Sequence, residues 1–214
     1  MTLRGLDVSR WNAPHSVPWD EVDFGFVRLT YGLYVDPRAE EHLWNGRKAG
    51  KLLGGYHWLD CSPGVWGSEQ AELFLKAASD FSAQLSGFDP SFLALAVDVE
   101  PADPKWPDPP ARVREALSGF LQASARAYPS VAAVYINFAE ATRARLGTSA
   151  PAFADLGGSL PPLWLADWTP PYEVPAPWER YTILQTGAKG GVDRDVFEGD
   201  AEDFRRAFGI CPSQ

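Results

Sequence analysis

Apolar and polar positions along the chain switch between a period of about two and a period of about 3.6, which predicts short strands alternating with helices. Residues 3–8 read as a strand ending in Asp7-Val8-Ser9, and residues 24–29 as a second strand. Residues 37–50 read as a helix with Gly50 near its C-terminal stop. A third strand spans 52–59. Residues 67–84 carry Ala71, Phe74, Leu75, Ala78 and Phe81 on one stripe, the signature of a helix with one buried face. The fourth strand, 92–100, is the most apolar. An amphipathic helix at 111–128, a strand at 131–137 and a short helix at 139–146 follow. Strands at 163–167, 181–185 and 192–196 lead to a closing helix at 201–208.

Prolines 101, 104, 107, 109 and 110 rule out regular structure directly after Glu100. A second Pro-rich stretch, 170–177, also lies between strands. Both read as loops of one domain covering 1–214, since no internal repeat or linker is visible. Eight strands with helices between the early ones predict an α/β fold, a (β/α)8-like barrel. The chain has 214 residues, against about 250 for a typical barrel, so several helices are expected to be shortened or missing, mainly in the second half.

Charge narrows the partners. With 28 acidic and 19 basic residues the formal charge is −9, which disfavours nucleic acid and anionic membranes. No run of about 18 apolar residues predicts a transmembrane helix. The start of the chain shows no apolar h-region, so the expectation is synthesis in the cytoplasm and release by lysis or another route. Cys61 and Cys211 are too far apart in sequence for a metal motif and are expected to be free thiols. Nine Trp provide flat faces that suit sugar rings, although Trp also fills cores.

The chemistry concentrates in Leu93-Ala94-Leu95-Ala96-Val97-Asp98-Val99-Glu100. Residues two apart on a strand share a face, so Asp98 and Glu100 project together from the C-terminal end of an apolar barrel strand, where such barrels work. Crowded carboxyls do not all ionise readily. One that keeps its proton can protonate a leaving glycosidic oxygen, while an ionised neighbour stabilises positive charge. The alternative is a pair of solvated acids at a strand end. Asp7 ends strand one in the same manner, with a loop acid or helix N-cap as the other reading. Asp193 follows Gly190-Gly191 and reads equally as a turn residue, with Asp195 competing for its role. His15, His42 and His57 show no metal spacing, and His57 fits a hydrogen-bonded core histidine as well as a site residue. No metal or other cofactor is expected. Nucleophile elbows, P-loops and dinucleotide fingerprints are absent from the sequence, and the glycines of 187–191 read as a turn.

These segments resemble glycoside hydrolase family 25 lysozymes. Gly5-Leu6-Asp7-Val8-Ser9-x-Trp11-Asn12 is similar to that family's G-[IL]-D-V-S opening, and Phe26-Val27-Arg28-Leu29-Thr30-x-Gly32 with Asp36-Pro37 to its second strand and loop. Gly54-Gly55-Tyr56-His57-Trp58 resembles G-x-Y-H-F, and Ala96-Val97-Asp98-Val99-Glu100 resembles L-D-x-E. Pro162-Leu163-Trp164-Leu165-Ala166 resembles P-L-W-[IL]-A, and Val192-Asp193-x-Asp195-Val196-Phe197 resembles V-D-x-N-x-F. The resemblance implies hydrolysis of the β-1,4 bond between N-acetylmuramic acid and N-acetylglucosamine in peptidoglycan. It implies Glu100 as general acid/base and Asp98 as the group that assists the substrate N-acetyl or stabilises the intermediate. Asp7 and Asp193 match further acids of the site, Tyr56 and Tyr135 match positions near the cleaved sugar, and Trp164 and Gln185 match floor and wall. A polymer-cleaving barrel needs an open groove, so a monomer is expected, with the glycan strand as partner.

The chain departs from the family pattern at Arg28 for Lys, Trp58 for Phe, Asp195 for Asn, and Leu184-Gln185-Thr186 for W-Q-Y. These touch the sugar-binding wall more than the acid pair. Three competing readings are a noncatalytic sugar-binding barrel, a phage structural module and a chitinase-type hydrolase. The first tends to lose acids, and the third favours D-x-x-D-x-D-x-E, where this chain has Ala94 and Ala96.

Overall fold

The computed structural model describes residues 1–86, 93–101, 108–127, 132–146, 153 and 160–210. The strands are β1 (Thr2–Val8), β2 (Phe24–Tyr31), β3 (Tyr34–Val35), β4 (Leu52–Trp58), β5 (Ala94–Asp98), β6 (Ala133–Ile136), β7 (Leu163–Ala166), β8 (Ile183–Lys189) and β9 (Val192–Glu198). The helices are α1 (Ala39–Lys48), α2 (Gly67–Ser86), α3 (Pro110–Ala127), α4 (Phe138–Arg143) and α5 (Ala201–Ala207). The sheet runs β1-β9-β8-β7-β6-β5-β4-β2-β3, and β1 also pairs with β2. That last pairing closes every strand but β3 into a barrel.

Pairing is parallel from β1 through β2 and β4 to β8, but β9 runs antiparallel to both neighbours. The cause is local. Only Gly190 and Gly191 join β8 to β9, and their φ values of 65° and 77° build a two-residue hairpin that no crossover helix could replace. The glycine turn expected at 187–191 is therefore the device that reverses the last strand. The shortening of the second half is also visible, because α4 has 6 residues against 20 in α2.

Period-two alternation sorts the side chains into two cores. One lies inside the barrel and includes Leu3, Phe24, Phe26, Tyr56, Ala94, Ala96, Tyr135, Trp164, Ile183 and Phe197. Phe204, Phe208 and Ile210 from α5 and the chain beyond it join this cluster. α5 is held in place by a capping box between Asp200 and Asp203. The other core lies between barrel and helices, with Leu6, Val27, Leu29, Leu53, Leu95, Val97, Val134 and Leu165 meeting the stripe Val113, Ala116, Leu117, Phe120 and Leu121 of α3.

Large rings inside so narrow a barrel need small neighbours. A Cβ on Gly54 would meet the Phe26 ring at 2.3 Å, and one on Gly5 the Phe24 ring at 2.2 Å. Gly54→Ala is therefore expected to destabilise the fold by about 1–3 kcal/mol through overpacking, read as a lower denaturant midpoint at unchanged slope.

Several boundaries differ from expectation: β2 runs to Tyr31 rather than 29, β8 covers Ile183–Lys189 rather than 181–185, β9 runs to Glu198 rather than 196, and α4 ends at Arg143 rather than 146. The fourth strand was expected to reach Glu100, yet β5 ends at Asp98. Its pairing continues one step further through Val99 N–H to Tyr135 C=O at 2.9 Å, so the alternation persists to Glu100. The hairpin arm β3 is too short for any periodicity to reveal. Residue 92, the helix end at 128 and the strand start at 131 lie outside the described residues. Cys61 is a buried free thiol whose pKa is pushed up to about 12, chiefly by burial, which keeps it inert. Cys211 lies outside the described residues. No described helix is long and apolar enough to cross a membrane.

Candidate active site

Continuing the inward alternation past the aromatic layers places a polar layer at the C-terminal end of the strands. Leu3 and Gly5 are followed by Asp7 on β1, Phe24 and Phe26 by Arg28 on β2, and Ala94 and Ala96 by Asp98 on β5. Gly54 leads to Tyr56, Ala133 to Tyr135, and Ile183 to Gln185. These side chains line an open cavity of about 500 Å³ together with Glu100, Trp164 and Asp193. All eight residues expected at the site from the sequence therefore meet there.

Two irregularities sit beside it. The β2–β4 register shifts between Arg28 and Thr30, and the β8–β9 register shifts between Gln185 and Gly187. Such bulges re-aim side chains at barrel rims.

Glu100 is held at its outer edge. Tyr135 Oη lies 3.2 Å from Glu100 Oε1 and 3.2 Å from Gln185 Oε1, and its single proton serves one of them at a time. The Trp58 side chain stands beside Glu100 and favours its charged form. Gln185 is oriented by Trp168, whose Nε1–H can only donate and does so to Oε1 at 3.1 Å. The amide nitrogen is thereby left to donate to Asp7 Oδ2 at 2.9 Å. Trp164 is buried beneath this layer. Its Nε1–H donates to Asp195 Oδ1 at 2.8 Å, and its ring meets Tyr135 and Tyr56 edge-on at 5.0 and 6.2 Å. It acts as a floor that holds the two tyrosines, with no open face for a sugar.

The electrostatics follow from burial. Asp98 is pushed well above the usual carboxylate range, first by burial and then by the charges of Glu100 and Asp7, with Arg28 opposing. Burial likewise raises Glu100, against the hydrogen bond from Tyr135. Asp7 is raised to about 8 by burial and by Asp193, which stands directly opposite it across the β1–β9 ladder. Asp195 is also raised, by burial and by the charge of Asp7. Carboxyls crowded in this way do not all ionise readily. The competition between Asp193 and Asp195 thus ends in two places: Asp193 lines the cavity, and Asp195 lies beneath it between Asp7 and Trp164.

Asp98 Oδ1 and Arg28 Nη2 are buried without hydrogen-bond partners. Arg28 spends its Nε–H on Asp36 Oδ2 at 2.8 Å, and Asp36 also takes the backbone N–H groups of Arg10 and Arg38. Both atoms are enclosed by protein, behind the parts of Asp98 and Arg28 that line the cavity. Among the described residues no group of three or more His, Cys, Asp or Glu is placed to hold a metal ion.

His57 belongs to the core. Gln70 Oε1 accepts from Asp60 N–H at 2.8 Å and faces His57 Nε2 at 2.9 Å, so Nε2 carries the proton and Nδ1 accepts from Thr30 at 2.7 Å. Burial lowers its pKa to about 4, and its ring stacks on Phe120 at 5.0 Å. Sequence reasoning assigned no role to Ser9, Arg10, Tyr31 or Pro101, which also line the cavity. Their only signal was position: Ser9 and Arg10 follow β1, Tyr31 is the last residue of β2, and Pro101 follows β5.

The family profile of glycosyl hydrolases family 25 matches residues 6–193. Among solved structures, the chain is similar to a family 25 lysozyme from Aspergillus fumigatus, with 24% identity, a TM-score of 0.76 and coverage of 97% of this chain and 99% of that one. It is similar to a muramidase from Trichobolus zukalii at 22% identity and a TM-score of 0.74, covering 96% and 98%. It is also similar to the bacterial lysozyme from Streptomyces coelicolor at 22% identity and a TM-score of 0.72, covering 96% of both chains. A search of curated proteins gave no match.

Proposed function

The chain belongs to glycosyl hydrolases family 25, and from that premise we propose that it is a lysozyme cleaving the β-1,4 bond between N-acetylmuramic acid and N-acetylglucosamine in the bacterial cell wall. We assign the whole chain to one monomeric catalytic unit. The observation that carries the assignment of roles is the placement of Asp98 and Glu100 at the end of β5, in one cavity with Tyr56 and Tyr135.

Glu100 is the general acid. Its raised pKa favours a retained proton, which passes to the leaving glycosidic oxygen as the C–O bond breaks. Asp98 acts on the substrate N-acetyl group. Its carboxyl lines the cavity and accepts the acetamido N–H. Held so, the acetamido oxygen attacks the anomeric carbon. Glu100, now a carboxylate, then takes a proton from the water that opens the intermediate. Substrate assistance of this type is a recognised exception to the two-carboxylate scheme. Asp7, Asp193 and Gln185 complete the wall around the cleaved sugar.

Mass spectrometry of digested peptidoglycan tests the reading. The expected products are muropeptides with a reducing N-acetylmuramic end. Reducing N-acetylglucosamine ends would transfer the enzyme to the other glycosidic bond, and cleavage of chitin oligomers alone would make it a chitinase-type hydrolase.

A further inference from the structure

The cavity carries side chains of both charges. Asp7, Asp98, Glu100 and Asp193 line it along β1, β5 and β9, while its cations, Arg10 and Arg28, stand by β1 and β2. Arg28 is ion-paired to Asp36. The Arg10 guanidinium has no carboxylate partner among the described residues, in a chain of formal charge −9.

Arg10 is nevertheless rigidly placed. Its guanidinium lies 4.6 Å from the Trp11 ring centroid and 4.5 Å from that of Tyr31, and its Nη1–H donates to Tyr31 Oη at 2.7 Å. Its Nε is buried without a partner. Beyond Tyr31, Tyr34 on β3 stacks at 5.6 Å. Trp11 and Tyr34 are 76% and 66% exposed, so the row ends in open aromatic faces on both sides of the cation. Open rings suit sugar faces, and a fixed guanidinium with spare N–H groups suits a planar carboxylate.

We propose that Arg10, clamped between Trp11 and Tyr31, is a specificity-determining residue that binds a carboxylate carried by the muramic acid residues of the glycan and so sets which sugar enters the cleavage position. This rests on the lysozyme reading above. The carboxylate has two sources, the lactyl group itself or the stem peptide attached to it. A cation without a carboxylate partner then orients the strand, because the anionic substituent is drawn to Arg10 and not to the cavity acids.

The test compares glycan strands stripped of stem peptides, strands that keep them, and each after carbodiimide amidation of the carboxyls. For wild type, kcat/KM on at least one carboxylate form is expected to exceed that on its amidated form about tenfold, through KM, as for a hydrogen bond to a charged group. In Arg10→Gln the ratio falls to about one, and Arg10→Lys restores part of it. A preference seen on stripped strands assigns the lactyl carboxylate, and one seen only on peptide-bearing strands assigns the stem. No preference in wild type, or the same preference in Arg10→Gln, overturns the inference. If wild type cleaves none of the strands, the lysozyme reading fails. Calorimetric affinities of wild type and Arg10→Gln for the same strands then decide this inference separately, with equal affinities for charged and amidated forms overturning it.

Discussion

Glu100→Gln is expected to lower turnover on peptidoglycan by about 10²–10⁴-fold while substrate affinity stays close to that of wild type. The amide has nearly the shape of the acid, and its carbonyl can still accept from Tyr135 as Glu100 does now. It has no acidic proton to give to the departing oxygen. The loss should therefore appear in kcat rather than KM, the signature of an interaction made only in the transition state. Wild-type activity should fall as pH rises through the raised pKa of Glu100, because the acid form is then depleted, and this limb should vanish in the variant. A variant retaining more than about a tenth of wild-type turnover would mean that the proton donor lies elsewhere among the cavity acids.

Asp7→Asn should stabilise the protein at neutral pH and remove part of its pH dependence. In the folded state Asp7 holds its proton up to about 8, against an ordinary value of 3.8. A pKa raised on folding gives a stabilising contribution that is complete below 3.8 and lost as pH rises to about 8. Across that window stability falls by about 1.4 kcal/mol per pH unit for each proton that only the native state keeps. Asn carries no proton to lose. Its oxygen still accepts from Gln185, and its amide can donate to Asp195, which then ionises more easily. The measurement is the denaturant midpoint at several pH values between 4 and 8. The gap between variant and wild type should widen with pH. A constant gap would show that Asp7 is not protonated in the folded protein. The same sign holds for Asp98 and Asp195, so the variant should still be more stable in mild acid than at pH 8.

Much of the site was legible because strand alternation is a local rule. Once Leu3, Phe24 and Ala94 are read as inward positions, Asp7, Arg28 and Asp98 follow two steps at a time, and the C-terminal ends of the strands become the working face. The pair Asp98 and Glu100 needed nothing more. Trp164 was legible as a floor residue only through resemblance, since its motif says nothing of depth. Arg10 was passed over because it lies in a loop, where no period holds, and Tyr31 because it falls beyond 29, where the second strand was expected to end. The antiparallel course of β9 was likewise unread, although the Gly190-Gly191 pair that causes it was recognised as a turn.

The sequence alone therefore determined that strands alternate with helices, that Asp98 and Glu100 share one face, and that acids stand near the ends of the strands carrying Asp7 and Asp98. These depend on neighbours a few residues away, through the pleat and through turn chemistry. Tertiary structure decided which ends meet. Gln185 reaches Asp7 across 178 residues of sequence, and Trp164 reaches Asp195, only because β1 closes the ring by pairing with both β2 and β9. Closure also decided the charge states. A carboxyl in a chain segment is simply an acid, but several lowered together into one cavity lose their water and repel, and some must keep their protons.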